Sequence, residues 1–275
     1  MALTQTHSLG DTTVIAITDG GRDFDTGVFT SDPAHLGELL KAAGKETLQT
    51  NFNAFVVRTG GRTILVDAGP RDLFGPTAGN LLAGLAEAGI APAQSDTLYI
   101  THLHPDHVAG ALTPEGAAVF PQAELVVQDA DRVFWSDLAE TASDETLKGW
   151  AQLNVALLDA YGARLRVLTG EAEVAPGLTS IPLPGHTPGH AGFRVEGGGQ
   201  ALVHVGDLVH AQDVQLADPD VGVVFDVDGD LARATRKRLL DQLAGEDTLV
   251  TGGHILAPKF GHVRRAGRGY RFEAL

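Results

Sequence analysis

The segment that most limits what this chain can become is ITHLHPDHVAG, Ile100 to Gly110, where three histidines and an aspartate fall within six residues. The chain holds only 11 histidines, so abundance does not explain the crowding. A buried imidazole needs partners for both ring nitrogens, and three side by side are costly unless something binds them together. Pro105 stops the backbone from continuing there as a regular strand or helix. A metal ion is the candidate. That reading makes a demand on the rest of the sequence, because further ligands must arrive from distant segments.

The surrounding punctuation is that of mixed strands and helices. TTVIAITDG, Thr12 to Gly20, reads as a buried strand ending at a Gly-Gly turn. SDPAHLGELLKAAG carries helix signals, with Asp32 as N-cap, Pro33 in the first turn and Gly44 past the end. NAFVVRTGGRTILVDAG is a hairpin around Gly60-Gly61 that closes on Asp67, and GNLLAGLAEAGI is an amphipathic helix stopped at Gly89. DTLYI is a short strand that delivers the chain to the histidine segment.

The second half follows the same style. AELVVQ is a strand, followed by a polar segment that contains Phe134 and Trp135. A long helix then runs from a Ser143 or Asp144 cap to Gly162. GFRVEGGGQALVHVGD is a second glycine-turned hairpin, ending at Asp207; DLARATRKRLLDQLAG is a helix. DTLVTGGH is a strand ending near His254, and GHVRRAGRGYRFEAL is a last hairpin. Hairpins mixed with crossover helices predict an α/β fold of two mixed sheets packed face to face with helices on the outer faces. No linker or repeat divides residues 1–275, which read as a single domain.

Potential ligands recur at four strand ends. They are His102, His104, Asp106 and His107 after DTLYI, His186 in PGHTPGH, Asp207 after ALVHVG, and His254 after TLVTGG. Independent packing needs would not repeat at four such places. In extended backbone His102 and His104 share a face, and the turn at Pro105 lets Asp106 and His107 reach a neighbouring point. One set can hold one cation and the other a second, with a carboxylate such as Asp207 bridging them. Imidazole and carboxylate donors without sulfur suit zinc first, with manganese, cobalt, nickel or iron as alternatives.

Composition narrows the partners. A formal net charge of −15 opposes nucleic acid or an anionic membrane as partner. No apolar run reaches bilayer length, and the start MALTQTHSLGD lacks the pattern of a secretory signal, so a cytoplasmic location is the default. A metal-held hydroxide needs no protein nucleophile, which fits the absence of cysteine and of a G-x-S-x-G elbow. GHTPGH lacks the Lys-Ser/Thr of a phosphate-binding loop.

THLHPDH, followed in order by PGHTPGH, HVGD and TGGH, resembles the metallo-β-lactamase superfamily. The resemblance implies an αββα sandwich. It places His102, His104 and His186 on one metal and Asp106, His107 and His254 on a second, with Asp207 bridging. It makes His190 and Asp67 supporting residues that orient ligands. FDVDGDLARATRKRLLDQL and the C-terminal GHVRRAGRGYRFEAL are similar to a methyl parathion hydrolase-like branch that neighbours the acyl-homoserine lactone lactonases. That branch implies a homodimer and aromatic residues over the leaving group, here Phe134 and Trp135. The lactonases carry a tyrosine three residues after the bridging aspartate; His210 stands there and is the candidate to polarise the substrate carbonyl.

The expected chemistry is hydrolysis of a small-molecule lactone, aryl ester or phosphotriester by a hydroxide shared between two divalent ions about 3.5–4 Å apart. Asp106 orients that nucleophile or receives its proton. The rival is an iron-dependent redox enzyme, a dioxygenase or diiron protein, on the same scaffold.

Overall fold

A computed structural model describes residues 2–275. Its first half runs β1 (Thr4–Leu9), β2 (Thr12–Phe24), β3 (Phe29–Thr30), α1 (Pro33–Ala42), β4 (Leu48–Thr59), β5 (Arg62–Val66), α2 (Leu81–Glu87), β6 (Thr97–Tyr99), α3 (Pro105–Val108), β7 (Glu124–Gln128), α4 (Asp129–Thr141) and α5 (Glu145–Tyr161). The second half runs β8 (Leu165–Leu168), β9 (Ala172–Ala175), β10 (Leu178–Pro182), β11 (Ala191–Gly197), β12 (Gln200–His204), α6 (Gln212–Gln215), β13 (Gly222–Val223), α7 (Gly229–Glu246), β14 (Leu249–Thr251), β15 (Gly261–Ala266) and β16 (Gly269–Ala274). One seven-stranded sheet has the order β1-β2-β4-β5-β6-β7-β8 and the other β16-β15-β14-β12-β11-β10-β9; β3 and β13 form a separate two-stranded sheet.

Side-chain alternation builds the layers. Val14 and Ala16 of β2, with Phe55 and Val57 of β4, face Phe193, Val195 and Leu202 of the second sheet. Ile15 and Ile17, with Ala54 and Val56, point the other way and pack under Leu85 of α2, Trp135 of α4 and Leu157 of α5. Val203 and Val250 of the second sheet pack under Leu239, Leu240 and Leu243 of α7. Three apolar layers thus separate four layers of backbone, the αββα arrangement. Strands buried on both faces explain why runs such as NAFVV lack polar alternation.

Helix punctuation is met locally. Asp32 accepts from Ala34 N at 2.7 Å with Pro33 next to it. Asp144, rather than Ser143, caps α5 by accepting from Leu147 N at 2.8 Å. Two expectations fail. Gly20-Gly21 does not turn; β2 runs on to Phe24, paired with β4, through a one-residue register shift between Thr18 and Gly20. Glycine there permits a bulge and a close neighbour, since a Cβ on Gly20 would sit 2.2 Å from Thr77 O. The segment after β7 is the 13-residue helix α4, whose inward face is Asp131, Trp135 and Leu138. Strands β1, β3, β8, β9 and β13 also escape the sequence pattern, and β10 lies in LTSIPLPGHTPGH, a stretch whose sequence reads as a turn-rich approach.

The topology brings one set of strand ends together. β5 and β6 are parallel, and so are β12 and β14. β10 points the same way as β12, because both pair antiparallel with β11. The segments leaving these five strands carry Asp67, His102 to His107, His186, Asp207 and His254, all at one edge. Carboxyl ends of parallel strands are where such sheets commonly place ligands. Among the described residues no helix is long and apolar enough to cross a membrane.

Gly110 tests how tightly this edge is packed. A Cβ there would lie 1.9 Å from Ala68 O, on the segment leaving β5. Gly110→Ala is expected to cost about 1–3 kcal/mol by overpacking. Denaturant unfolding would show a lower midpoint at unchanged slope; a wild-type midpoint would mean the segment yields freely.

Candidate metal centre

The convergence is closest around one atom. Asp207 Oδ2 lies 2.8 Å from His254 Nε2, 3.2 Å from His107 Nε2, 3.4 Å from His210 Nε2, and 3.6 Å from both His102 Nε2 and His186 Nε2. On one side His102 Nε2 is 3.1 Å from His104 Nδ1, which is 2.9 Å from His186 Nε2. On the other, Asp106 Oδ2 is 3.5 Å from His107 Nε2 and 3.6 Å from His254 Nε2. Two donor groups, His102/His104/His186 and Asp106/His107/Asp207/His254, therefore adjoin. A third grouping joins His186, Asp207 and His210.

The outer nitrogens show what faces inward. His107 Nδ1 donates to Asp67 Oδ2 at 2.8 Å, His186 Nδ1 to Asp226 Oδ1 at 2.8 Å, and His254 Nδ1 to Asn51 O at 2.7 Å. The Thr101 hydroxyl donates to Asp67 Oδ2 and so accepts from His102 Nδ1, 3.2 Å away. In each neutral ring the remaining nitrogen then presents a lone pair to the centre. Burial holds His102 and His186 well below the ordinary imidazole range and brings His104 down to about 4. His102 and His186 donate their one proton to Thr101 and Asp226, so both turn lone pairs toward His104 Nδ1, 3.1 and 2.9 Å away, where a cation would satisfy all three nitrogens. At His107 burial again opposes charge, but Asp207, Asp106 and Asp67 outweigh it and raise the pKa; Asp207 and Asp106 do the same at His254. Positive charge is wanted on both sides. Donors at about 2.0–2.1 Å around a tetrahedral zinc would stand roughly 3.3 Å apart, close to the spacings here. The residues fit a pair of divalent cations.

The supporting groups are as buried as the cluster. Asp67 adopts a left-handed φ of 58° and accepts from Thr101 N and Thr101 Oγ1 as well as from His107. His190 Nδ1 donates to Leu183 O, and its Nε2 accepts from Asp207 N at 2.9 Å, fixing the backbone of that aspartate. Sequence reasoning missed four further groups. Asp131 of α4 accepts from Leu103 N, Thr187 Oγ1 and Gly189 N, tying the His102–His107 segment to the His186 loop, and burial raises its pKa to about 6. Asp226 orients His186, with the fully buried Arg236 3.9 Å away. Arg236 donates to three loop carbonyls, of Leu208, Pro219 and Val221. Lys259 donates to Asn53 Oδ1 and Ile255 O, bracing the loop that holds His254, and burial brings it down to about 7.

A cleft of about 640 Å³, open mouth included, stands over the cluster. His104, Asp106, His186, Asp207, His210 and His254 form its polar part, and Phe24, Phe52, Phe74, Trp150 and Phe225 its aromatic part. The expected wall residues are misplaced. Trp135 is 1 % exposed and sits behind His104, ring centroids 5.5 Å apart, and Phe134 packs with it into the core under α4 and α5. Helical geometry turns that face of α4 toward the sheet. His210 does line the cleft, stacked on His254 at 4.8 Å, with Nδ1 buried and unpartnered.

Removing Asp131 would release two ligand loops at once. Asp131→Ala is expected to weaken zinc or manganese binding about 10–100-fold, the usual effect of losing an outer hydrogen-bonding partner. Titration against a chelating dye reads it, and unchanged affinity would show that the loops hold themselves.

Comparison with known proteins agrees with this geometry. The metallo-beta-lactamase superfamily pattern matches residues 50–254, from β4 to the last histidine of the cluster. An N-acyl homoserine lactonase of Bacillus sp is 29% identical over 181 residues, covering 64% of this chain and 62% of that protein, so the match spans less than two thirds of this curated relative. The crystal structure of hydrolase AbOPH, in the beta lactamase superfamily, superposes with a TM-score of 0.93 at 29% identity, covering 100% of this chain and 98% of the other. AidC, a dizinc quorum-quenching lactonase in complex with a homoserine product, superposes with a TM-score of 0.91 at 26% identity, covering 100% and 99%. With the family's pattern spanning the ligand-bearing strand ends of both sheets, the chain belongs to the metallo-β-lactamase superfamily.

Proposed function

We propose that this chain, as one domain over residues 1–275, is a dinuclear metal-dependent hydrolase of small lactones and aryl esters, with phosphotriesters as further substrates. The observation that carries the reading is the ring of inward lone pairs around Asp207 Oδ2 at the floor of an aromatic cleft. Among the described residues no Ser, Thr, Cys, Lys or Tyr side chain lines that cleft, and its two carboxylates, Asp106 and Asp207, are both proposed metal ligands. The lactonase relatives support the choice of substrate.

In this reading His102, His104 and His186 hold one ion, Asp106, His107 and His254 the other, and Asp207 both. Two divalent ions so held would lower the pKa of a shared water toward neutrality and polarise the substrate's carbonyl or phosphoryl oxygen. The protein's own groups do the rest. Asp106 has a partly exposed carboxylate at the cleft floor, placed to orient the attacking water and take its proton. Asp67, Asp226 and the Asn51 carbonyl keep the tautomers of His107, His186 and His254 fixed, so the floor needs no reorganisation during turnover. His210 meets the substrate oxygen beside Asp207, and the aromatic walls strip water from an aryl or alkyl group.

His104→Ala and Asp207→Ala are each expected to lower turnover of an aryl ester at least 10³-fold and to reduce bound metal below two equivalents. Chelation should abolish activity and zinc, cobalt or manganese restore it, read by elemental analysis and hydrolysis on one preparation. Full activity in metal-depleted His104→Ala protein, or bound iron with oxygen uptake in place of ester cleavage, would overturn the reading. His210→Ala is expected to reduce kcat/KM about 10–100-fold at unchanged metal content, in keeping with the loss of one charge-stabilising donor. A fall in metal content would instead make His210 a ligand beside His186.

A further inference from the structure

One charged side chain in the cleft has no part in this chemistry. Arg22 lines the mouth from the far end of β2, its guanidinium 5.9 Å from the ring centres of both Phe24 and Phe74. Among the described residues no carboxylate lies within 4.0 Å of it, whereas Arg71 is paired with Asp72 and Arg264 with Asp247 and Glu273.

The bulge in β2 puts it there. Up to Thr18 the odd-numbered residues of β2 share a face with the even-numbered residues of β4, as Ile15 with Val56 and Ile17 with Ala54. After the register shift Gly20 lies opposite Phe52, Arg22 opposite Thr50 and Phe24 opposite Leu48. A one-residue slip exchanges the two faces of a strand. Without it, Gly21 and the carboxylate of Asp23 would share the side of Phe52. With it, a cation and an aromatic ring do. Phe52 lines the cleft, and Thr50 Oγ1 is 3.2 Å from His254 Nδ1, so this face leads straight to the metal-binding floor.

Resting on the hydrolytic reading above, we propose that Arg22 is a specificity-determining residue that binds a carboxylate on the substrate, at the end remote from the scissile bond. The favoured substrates are then aromatic esters or lactones bearing an anionic substituent. The ring lies among Phe24, Phe74 and the other aromatic walls, and its carboxylate takes charge-assisted hydrogen bonds from the guanidinium. A chain of net charge −15 repels anions at long range, so an anionic substrate needs such a local cation at the entrance.

The test compares 3- and 4-acetoxybenzoate with their methyl esters, which keep the shape and lose the charge. Loss of acetate is followed through the released hydroxybenzoate or its methyl ester, in the metal-loaded wild type, Arg22→Met and Arg22→Lys. Arg22→Met should raise KM for at least one acetoxybenzoate about tenfold with kcat within twofold, the exposed site keeping the effect modest. The methyl esters should change less than twofold, Arg22→Lys should recover part of the loss, and 0.5 M salt should narrow the difference. Equal effects on acid and ester, or none on either acid, would overturn the assignment to Arg22. Wild-type failure on all four compounds would count against the aryl-ester reading and take this inference with it.

Discussion

Five imidazole nitrogens face a single carboxylate oxygen at a depth where water does little to screen them, and the rest of this edge serves to keep them there. Left to itself the arrangement is costly: the inward lone pairs of His102 and His186 crowd His104 and face the buried Asp207 carboxylate at 3.6 Å. Divalent cations held among these donors would turn that crowding into attraction. Folding and metal binding would thereby be linked, because the free energy that offsets the crowding would come with the ions.

Such a centre needs a support that does not relax. Parallel strand pairs from two sheets deliver the ligands, and each loop beyond them is tied by buried hydrogen bonds to the next. Asp67 joins the end of β5 to the turn after β6, Asp131 joins that turn to the His186 loop, and Asp226 with Arg236 joins the His186 loop to the segment leaving Asp207. The left-handed backbone at Asp67 is a local strain of order 1 kcal/mol or more, held because its carboxylate satisfies three donors at once. Rigidity of this kind matters more to a metal site than to a simple fold, since a displacement of about 1 Å would separate a donor from its neighbours.

The converging donors were readable in the sequence because their chemistry is expensive anywhere else: histidines crowd into THLHPDH for no reason that packing supplies. The layers were readable as well, since β-branched runs between glycine turns leave few other options. What stayed hidden shares one property. Asp131, Asp226, Arg236 and Lys259 look like surface residues, and only tertiary packing buries their side chains. Helix α4 escaped for a related reason, as DADRVFWSDLAET places its few apolar residues among charges, and its buried aspartate masks the period. Gly20-Gly21 carries the ordinary signature of a turn, and a bulge differs from a turn only in what the partner strand does. Trp135 and Phe134 were aromatic and in the right segment, but helical geometry aimed them into the core.

The misplaced aromatics and the bulge make the same point about how the fold divides its labour. The floor of the cleft comes from strand ends locked by mutual hydrogen bonds, and almost any change there disturbs several partners. The walls come from elsewhere: Phe24 and Arg22 from the overrun of β2, Phe74 from the segment before α2, Trp150 from α5 and Phe225 from the loop after β13. None of these residues hydrogen-bonds through its side chain to a ligand-bearing loop, so a wall can vary while the donors stay in place. The register shift in β2 shows how little is needed, because it puts Arg22 and Phe24, rather than Asp23, on the side of Phe52. In a scaffold built this way the donor set stays fixed while the shape and charge of the cleft are set by a few side chains outside the donor-bearing loops.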